Sequence, residues 1–219
     1  MTIIVRNLSD QLVSLLRDRI LSGQVNNDLP IRQDALAAEL GVSKIPLREA
    51  LARLEEEGLV ASQANRGFYV RPMTTEEAEE VYALRIRLEP DAMMRAAERA
   101  SKEERKHAID LAERMDEIQK EHGEGVGAFN RRFHHALYAP SRQPVTVNIL
   151  DRLQVLSERY VRKHLEPLGR DERANEEHRG LLAAWLACDT ETLRELARAH
   201  TAKTLDDLRN QFNQLEGAN

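Results

Sequence analysis

Residues 31–51 read IRQDALAAELGVSKIPLREAL, and this stretch decides the fold of the first third of the chain. Leu36 and Leu40 stand four apart and turn one face of a short helix inward, and Gly41 breaks it. Ser43 is placed to cap a second helix, and Pro46 falls in that helix's first turn, where the amide it lacks has no intrahelical partner. Leu47, Ala50, Leu51 and Leu54 then share one face until Gly58. Working outward, Leu8, Leu12, Leu16 and Ile20 predict a preceding helix from Leu8 to Ser22, ended by Gly23. Downstream, Leu59–Ser62 and Phe68–Val70 flank Ala64-Asn65-Arg66-Gly67, the pattern of a small β-hairpin. Helix, helix, turn, helix and hairpin make a winged helix-turn-helix over residues 1–72.

With Leu47, Leu51 and Leu54 inward, the helix after Ser43 presents Lys44, Ile45, Arg48, Glu49 and Ala52 outward, mostly near its N-terminus. That is the end of a recognition helix that enters a major groove. Arg48 can offer two donors to guanine O6 and N7, and Lys44 suits a phosphate or a single base acceptor. At the hairpin tip Asn65, Arg66 and Gly67 can approach a phosphate or the minor groove. Arg53 points away from Arg48 and reads as a solvated helix arginine pairing with Glu49 or Glu57 at i,i±4.

The net charge of −5 does not by itself suggest a nucleic-acid partner. Its distribution changes that: residues 1–72 hold nine Lys and Arg against nine Asp and Glu, and the rest of the chain, 23 against 28, supplies the whole deficit. A neutral head on an acidic body binds DNA if its cations share a face. The single cysteine, Cys188, cannot form an intramolecular disulfide, no apolar run reaches the ~20 residues of a membrane span, and the N-terminus lacks signal-peptide features. A cytoplasmic protein with no membrane partner is expected, with Cys188 a small core-edge residue.

After Pro72 the texture changes to long helices, predicted at 75–99, 102–121, 125–139, 144–166, 172–187 and 190–215. Thr74–Glu77 and Ser101–Glu104 are capping boxes, and the breaks fall at Ser101, Gly123–Gly127, Pro140, Pro167–Gly169 and Asp189. The expected fold is mostly α, with a six-helix antiparallel bundle over residues 73–219. Tyr82, Ile86 and Met93 form a second apolar face on the bundle's first helix, open to use by a dimer or by the core.

The stretch 31–51, with Arg53-Leu54, Glu57–Val60 and Asn65–Val70, closely resembles the DNA-binding domain of the GntR family of transcriptional regulators. The resemblance implies a homodimer on a short palindromic operator. Recognition-helix N-termini (here Ser43, Lys44, Ile45, Pro46 and Arg48) and the wing (Asn65, Arg66, Gly67) would contact the DNA. The family usually has Arg where this chain has Lys44, which keeps the charge and alters base preference. The segments 80–90, 130–134 and 177–179, with His200, resemble the FCD effector domain of the FadR subfamily, and six helices rather than seven fit its VanR-like group. That likeness implies a ligand-responsive regulator, repression being the expected sense, with a divalent metal (zinc or nickel) held by Asn130, His134, His178 and His200. Many relatives have a carboxylate at Asn130, so the amide here weakens affinity and leaves more positive charge at the ion.

The residue pattern is compatible with that set. Asn130 and His134 are i,i+4 on one helix; His178 lies on the stripe of Leu181, Leu182 and Trp185; and His200 lies on the stripe of Leu193, Leu196, Ala197, Thr204 and Leu208. A core histidine bonded to a carbonyl is the commoner use of a buried imidazole, and His164, four after Tyr160, also fits an apolar edge. Periodicity alone does not choose the three; the resemblance does. His135, about 100° from His134, falls outside the site. Arg85 lies on the inward stripe with Val81, Leu84, Leu88 and Ala92, where an unpaired charge is costly. It either pairs with Glu89 at i,i+4 or joins the metal in holding a carboxylate-bearing effector, and Arg85 with Glu89 is the candidate effector site. The rival readings are a metal-dependent hydrolase or lyase using the histidine cluster, and a constitutive DNA binder with a structural metal. The first needs a general base; the chain has no HExxH signature, and the nearest candidate is Glu177.

Overall fold

Leu47, Ala50, Leu51 and Leu54 are fully buried, and the N-terminal unit closes around them. The computed structural model describes residues 2–25, 29–64, 66–120, 126–165 and 171–216, and separates into two units, Met1–Met73 and Thr74–Asn219. In the first unit α1 (Thr2–Leu21), α2 (Gln33–Leu40) and α3 (Lys44–Glu56) precede β1 (Val60–Gln63) and β2 (Gly67–Val70). The strands pair antiparallel with Val60 opposite Val70 and Gln63 opposite Gly67. Ile31 adds a further rung, its N–H donating to Phe68 O at 2.7 Å.

Gly41 and Gly58 set the turns between these elements. Each has positive φ (65° and 83°), and each is followed by a six-to-one bond, Val42 N–H to Ala37 O and Leu59 N–H to Leu54 O, both 3.0 Å. A glycine reaches that geometry without Cβ strain. Ser43 does occupy the N-cap of α3 in extended conformation, yet its side chain makes no capping hydrogen bond.

The first helix departs from its expected form. It begins at Thr2, and Leu8 is exposed while Ser9, Leu12, Val13, Leu16, Ile20 and Leu21 are buried against α3. Steps of four advance about 40° around a helix of 3.6 residues per turn, so a stripe written as every fourth residue drifts off the buried face. Arg53 also pairs differently. It reaches Asp10 on α1 (2.6 Å), while Glu57 takes Arg17 in a two-bond contact (2.8 and 2.5 Å). Ser62 anchors β1 to α3, its N–H and Oγ–H both donating to Glu55 Oε1 at 2.7 Å.

The second unit contains α4 (Thr75–Arg99), α5 (Lys102–Lys120), α6 (Val126–Tyr138), a 3-10 turn at Ala139–Ser141, α7 (Pro144–His164), α8 (Asp171–Ala187) and α9 (Thr190–Glu216). Residues 123–125 and 167–169 of the expected breaks lie outside the described residues. The two expected capping boxes differ. Ser101 and Glu104 exchange bonds of 2.8 and 3.1 Å, whereas Thr74 caps Glu77 N–H (3.1 Å) and the returning partner is the Tyr160 hydroxyl, 3.3 Å from Thr74 N.

Helix α4 is the axis of the bundle, packed against α6, α7, α8 and α9. Its buried set, including Ala78, Val81, Tyr82, Arg85, Glu89, Ala92, Met93, Ala96 and Ala97, spans more than one stripe, because neighbours cover it on several sides. Tyr82 and Met93 therefore belong to the core, while Leu84, Ile86 and Leu88 are half-buried. Cys188 corrects the expectation of a core-edge residue. It is exposed, with φ of 55° just past α8, and its Sγ–H donates to Ala97 O at 3.1 Å.

Candidate functional site

Three helices of the bundle bring His134 (α6), His178 (α8) and His200 (α9) together. Their ring centroids stand 5.1, 5.2 and 4.8 Å apart, and one nitrogen of each lies within 4.8 Å of the others. They are 1, 5 and 7% exposed. The stripes that point them inward are real: Phe133, Leu181, Trp185, Leu193 and Ala197 are all buried.

The cluster opens on a cavity of about 780 Å³, its mouth included, whose walls carry Asn130, Arg85, Arg131, Gln154, Ser157 and Asn175 as well. Asn130 is half-buried there, in the same wall as the histidines. His135 and His164 stand apart. The first bonds Asp151 through Nδ1 at 2.7 Å on an exposed face, and the second packs edge-on to Phe212.

Electrostatics fix the state of these imidazoles. Burial, then the neighbouring His178, His200 and Arg85 charges, push His134 well below the ordinary histidine range, so it stays neutral. Its Nδ1 is buried and has no hydrogen-bond partner among the described residues. His200 Nδ1 lies 2.8 Å from Glu177 Oε2. Burial alone would raise Glu177, but the bond to His200 and the Lys203 ammonium (3.2 Å from Oε1) bring it down to about 2. An ionised Glu177 must accept, so His200 carries a proton on Nδ1.

Arg85 pairs with Glu89 and also lines the cavity. Its Nε donates to Glu89 Oε1 at 2.7 Å, its Nη1 donates to Ser157 Oγ at 2.9 Å, and its side chain lines the cavity. Burial opposes the Arg85 charge, and the Glu89 carboxylate more than offsets this and holds the guanidinium protonated. Glu89 itself does not line the cavity. It lies beneath Arg85, 1% exposed, and accepts also from Gln154 Nε2 (2.7 Å) and Thr201 Oγ1 (3.2 Å).

Gln154 and Ser157 are not among the residues expected at the site, and Glu177 is expected there only as the nearest candidate base. Gln154 and Ser157 are polar residues three apart on a helix face that also buries Leu150 and Leu153, a signal the sequence carries. Nothing in the spacing of Glu177 reveals that it reaches across to α9.

In the N-terminal unit Ser43, Lys44, Ile45, Arg48 and Arg66 are exposed, Pro46 and Gly67 are half-buried, and Asn65 lies outside the described residues. Arg48 and Arg66 are engaged by no carboxylate among the described residues, whereas Lys44 forms an exposed ion pair with Asp34 of α2. Free guanidiniums at a helix start and at a hairpin tip suit phosphate and base-edge contacts.

Residues 8–70 match the bacterial regulatory proteins of the gntR family, and residues 80–218 match the FCD domain. The HTH-type transcriptional regulator BphR of Paraburkholderia xenovorans is 30% identical over 96% of this chain and 89% of its own. The HTH-type transcriptional repressor GlaR of Escherichia coli is 27% identical over 84% and 88%. Among solved structures, E. coli McbR superposes with a TM-score of 0.76 at 24% identity, covering 94% of this chain and 98% of its own, a likeness of fold. No helix among the described residues is long and apolar enough to cross a membrane. The chain belongs to the GntR family of transcriptional regulators, with an FCD domain as its effector-binding half.

Proposed function

We propose that this regulator senses a small carboxylate-bearing molecule in the cavity of its C-terminal unit and that occupancy sets its affinity for operator DNA. The observation that supports the reading is one cavity: three buried imidazoles, one with an unpartnered buried nitrogen, line it together with a protonated Arg85. Neutral imidazoles in that arrangement are ligands for a borderline divalent ion such as zinc or nickel, and leaving them without one strands a polar atom in the core. His134, His178 and His200 hold the ion, with Asn130 as a neutral oxygen donor from the same helix as His134. Once bound, the ion supplies a Lewis-acid anchor for a carboxylate oxygen. Arg85, preset by Glu89 and Ser157, orients the effector's anionic group, and Gln154 and Asn175 offer neutral hydrogen bonds along the wall.

In the N-terminal unit Ser43, Lys44, Ile45, Pro46 and Arg48 of the recognition helix, with Asn65, Arg66 and Gly67 of the wing, contact the operator. The protein acts as a homodimer on a short palindrome, in the repressing sense that the name of GlaR carries for that relative. The relatives are regulators, and Glu177, the carboxylate beside the histidines, is held near 2 and is too weak a base for hydrolytic work near neutrality. Elemental analysis of full-length protein purified without a histidine tag tests the ligand set. One divalent ion per chain, lost in His134→Ala and His178→Ala, is expected; wild-type protein that takes up neither zinc nor nickel overturns it.

A further inference from the structure

Ile45 is 72% exposed, more than any other large apolar side chain described in the N-terminal unit. It is the second residue of α3, three before Arg48 and so beside it on the helix surface, and its outward direction is fixed because Leu47, Ala50 and Leu51 on the opposite face are at 0% exposure. A β-branched side chain has little rotamer freedom on a helix, so it presents a preset apolar surface. Lys44, by contrast, is tethered to Asp34 and is the more diverted of the two cations. On a helix end that enters a major groove, the one apolar group on the base edges is the C5-methyl of thymine.

We propose that Ile45 is a specificity-determining residue that reads a thymine methyl group next to the base contacted by Arg48. The inference rests on the DNA-reading assignment of α3. Arg48 then selects by hydrogen bonding and Ile45 by methyl contact, so the preferred sequence contains a thymine whose recognition needs no donor or acceptor. Each such contact buries about one methyl group, worth about 0.8 kcal/mol, or about fourfold in affinity per recognised half of the operator.

The test uses full-length protein and duplexes selected by it from a randomised pool, with binding followed by fluorescence anisotropy at fixed salt. Each thymine is replaced in turn by deoxyuridine, which pairs identically and lacks only the methyl. One thymine position is expected at which deoxyuridine weakens wild-type binding about fourfold, the loss vanishing in Ile45→Ala and persisting in Ile45→Val. Because Ile45 is exposed, both variants are expected to keep the wild-type fold and an unchanged melting temperature. Insensitivity of every thymine, or undiminished sensitivity in Ile45→Ala, overturns the inference while a dependence of selection on Arg48 leaves the DNA-reading assignment standing. A pool from which nothing is enriched by wild type overturns both.

Discussion

Replacing Arg85 by Ala removes the counter-charge from a carboxylate that is 1% exposed. Glu89 would keep its bonds from Gln154 and Thr201, which are neutral donors and cannot balance the charge. Breaking one side of a buried ion pair costs about 3–5 kcal/mol. An independent bound comes from proton uptake. An ordinary glutamate titrates near about 4.3, so protonating one at pH 7 costs about 3.7 kcal/mol, and the variant can always take that route. Loss of the Arg85–Ser157 bond adds about 1 kcal/mol. The expected cost is therefore about 4–5 kcal/mol at pH 7, against a typical total of about 5–15 kcal/mol. Because the route runs through proton uptake, the cost should shrink by about 1.4 kcal/mol for each pH unit of acidification toward pH 5. The double variant Arg85→Met with Glu89→Leu should recover most of the loss, since a buried pair exchanged for apolar groups of similar volume is near neutral. Urea unfolding of wild type, single and double variants at pH 7 and pH 5 measures all three quantities. A single-variant cost under 1 kcal/mol, or one that does not change with pH, refutes the claim that Glu89 holds a buried charge against Arg85.

Three further outcomes follow from the same geometry. Glu177→Gln should weaken zinc binding about 10–100-fold in a chelator competition, because it no longer fixes the tautomer of His200, while Lys203→Met at the same carboxylate should change it little. His134 is held below its ordinary pKa of 6.5, so the unfolded chain binds a proton there that the folded chain refuses. Stability of metal-free protein is then lost as pH falls below about 6.5, by up to about 1.4 kcal/mol per unit, and His134→Gln should remove that slope in urea unfolding. Leu51→Ala, at a fully buried position of α3, should cost about 2–5 kcal/mol by the same assay and reduce operator binding at 37 °C.

Much of this architecture was legible because local signals agreed with the global fold. The glycine-ended helices around residues 31–51 and the capping box at Ser101 name their own boundaries, and the six long helices of the C-terminal half follow the predicted spans within two residues. Where a helix is covered on several sides, periodicity loses its meaning, as α4 shows by burying Tyr82 and Met93 along with Val81 and Arg85. The stripe on α1 failed for a related reason: Leu8 keeps the spacing of four but has rotated out of the interface. Within the cavity, the histidines lie on inward stripes that sequence can count. The groups that tune them cross between helices, Glu177 to His200 over 23 positions and Gln154 to Glu89 over 65, and no local pattern encodes such pairs.

Thermodynamic linkage between the cavity of the C-terminal unit and the operator-binding surface is the core of the proposed function. It is tested most directly by titrating metal-loaded full-length protein, bound to a fluorescent duplex selected by the protein itself, with a panel of small mono-, di- and tricarboxylates. At least one acid is predicted to change duplex affinity by about 5–150-fold, and the duplex must change the protein's affinity for that acid by the same factor. The Arg85→Met, Glu89→Leu variant should bind the duplex and retain its metal, yet be deaf to the acid. Duplex affinity that no carboxylate alters, or a response that survives loss of Arg85 undiminished, would contradict the account.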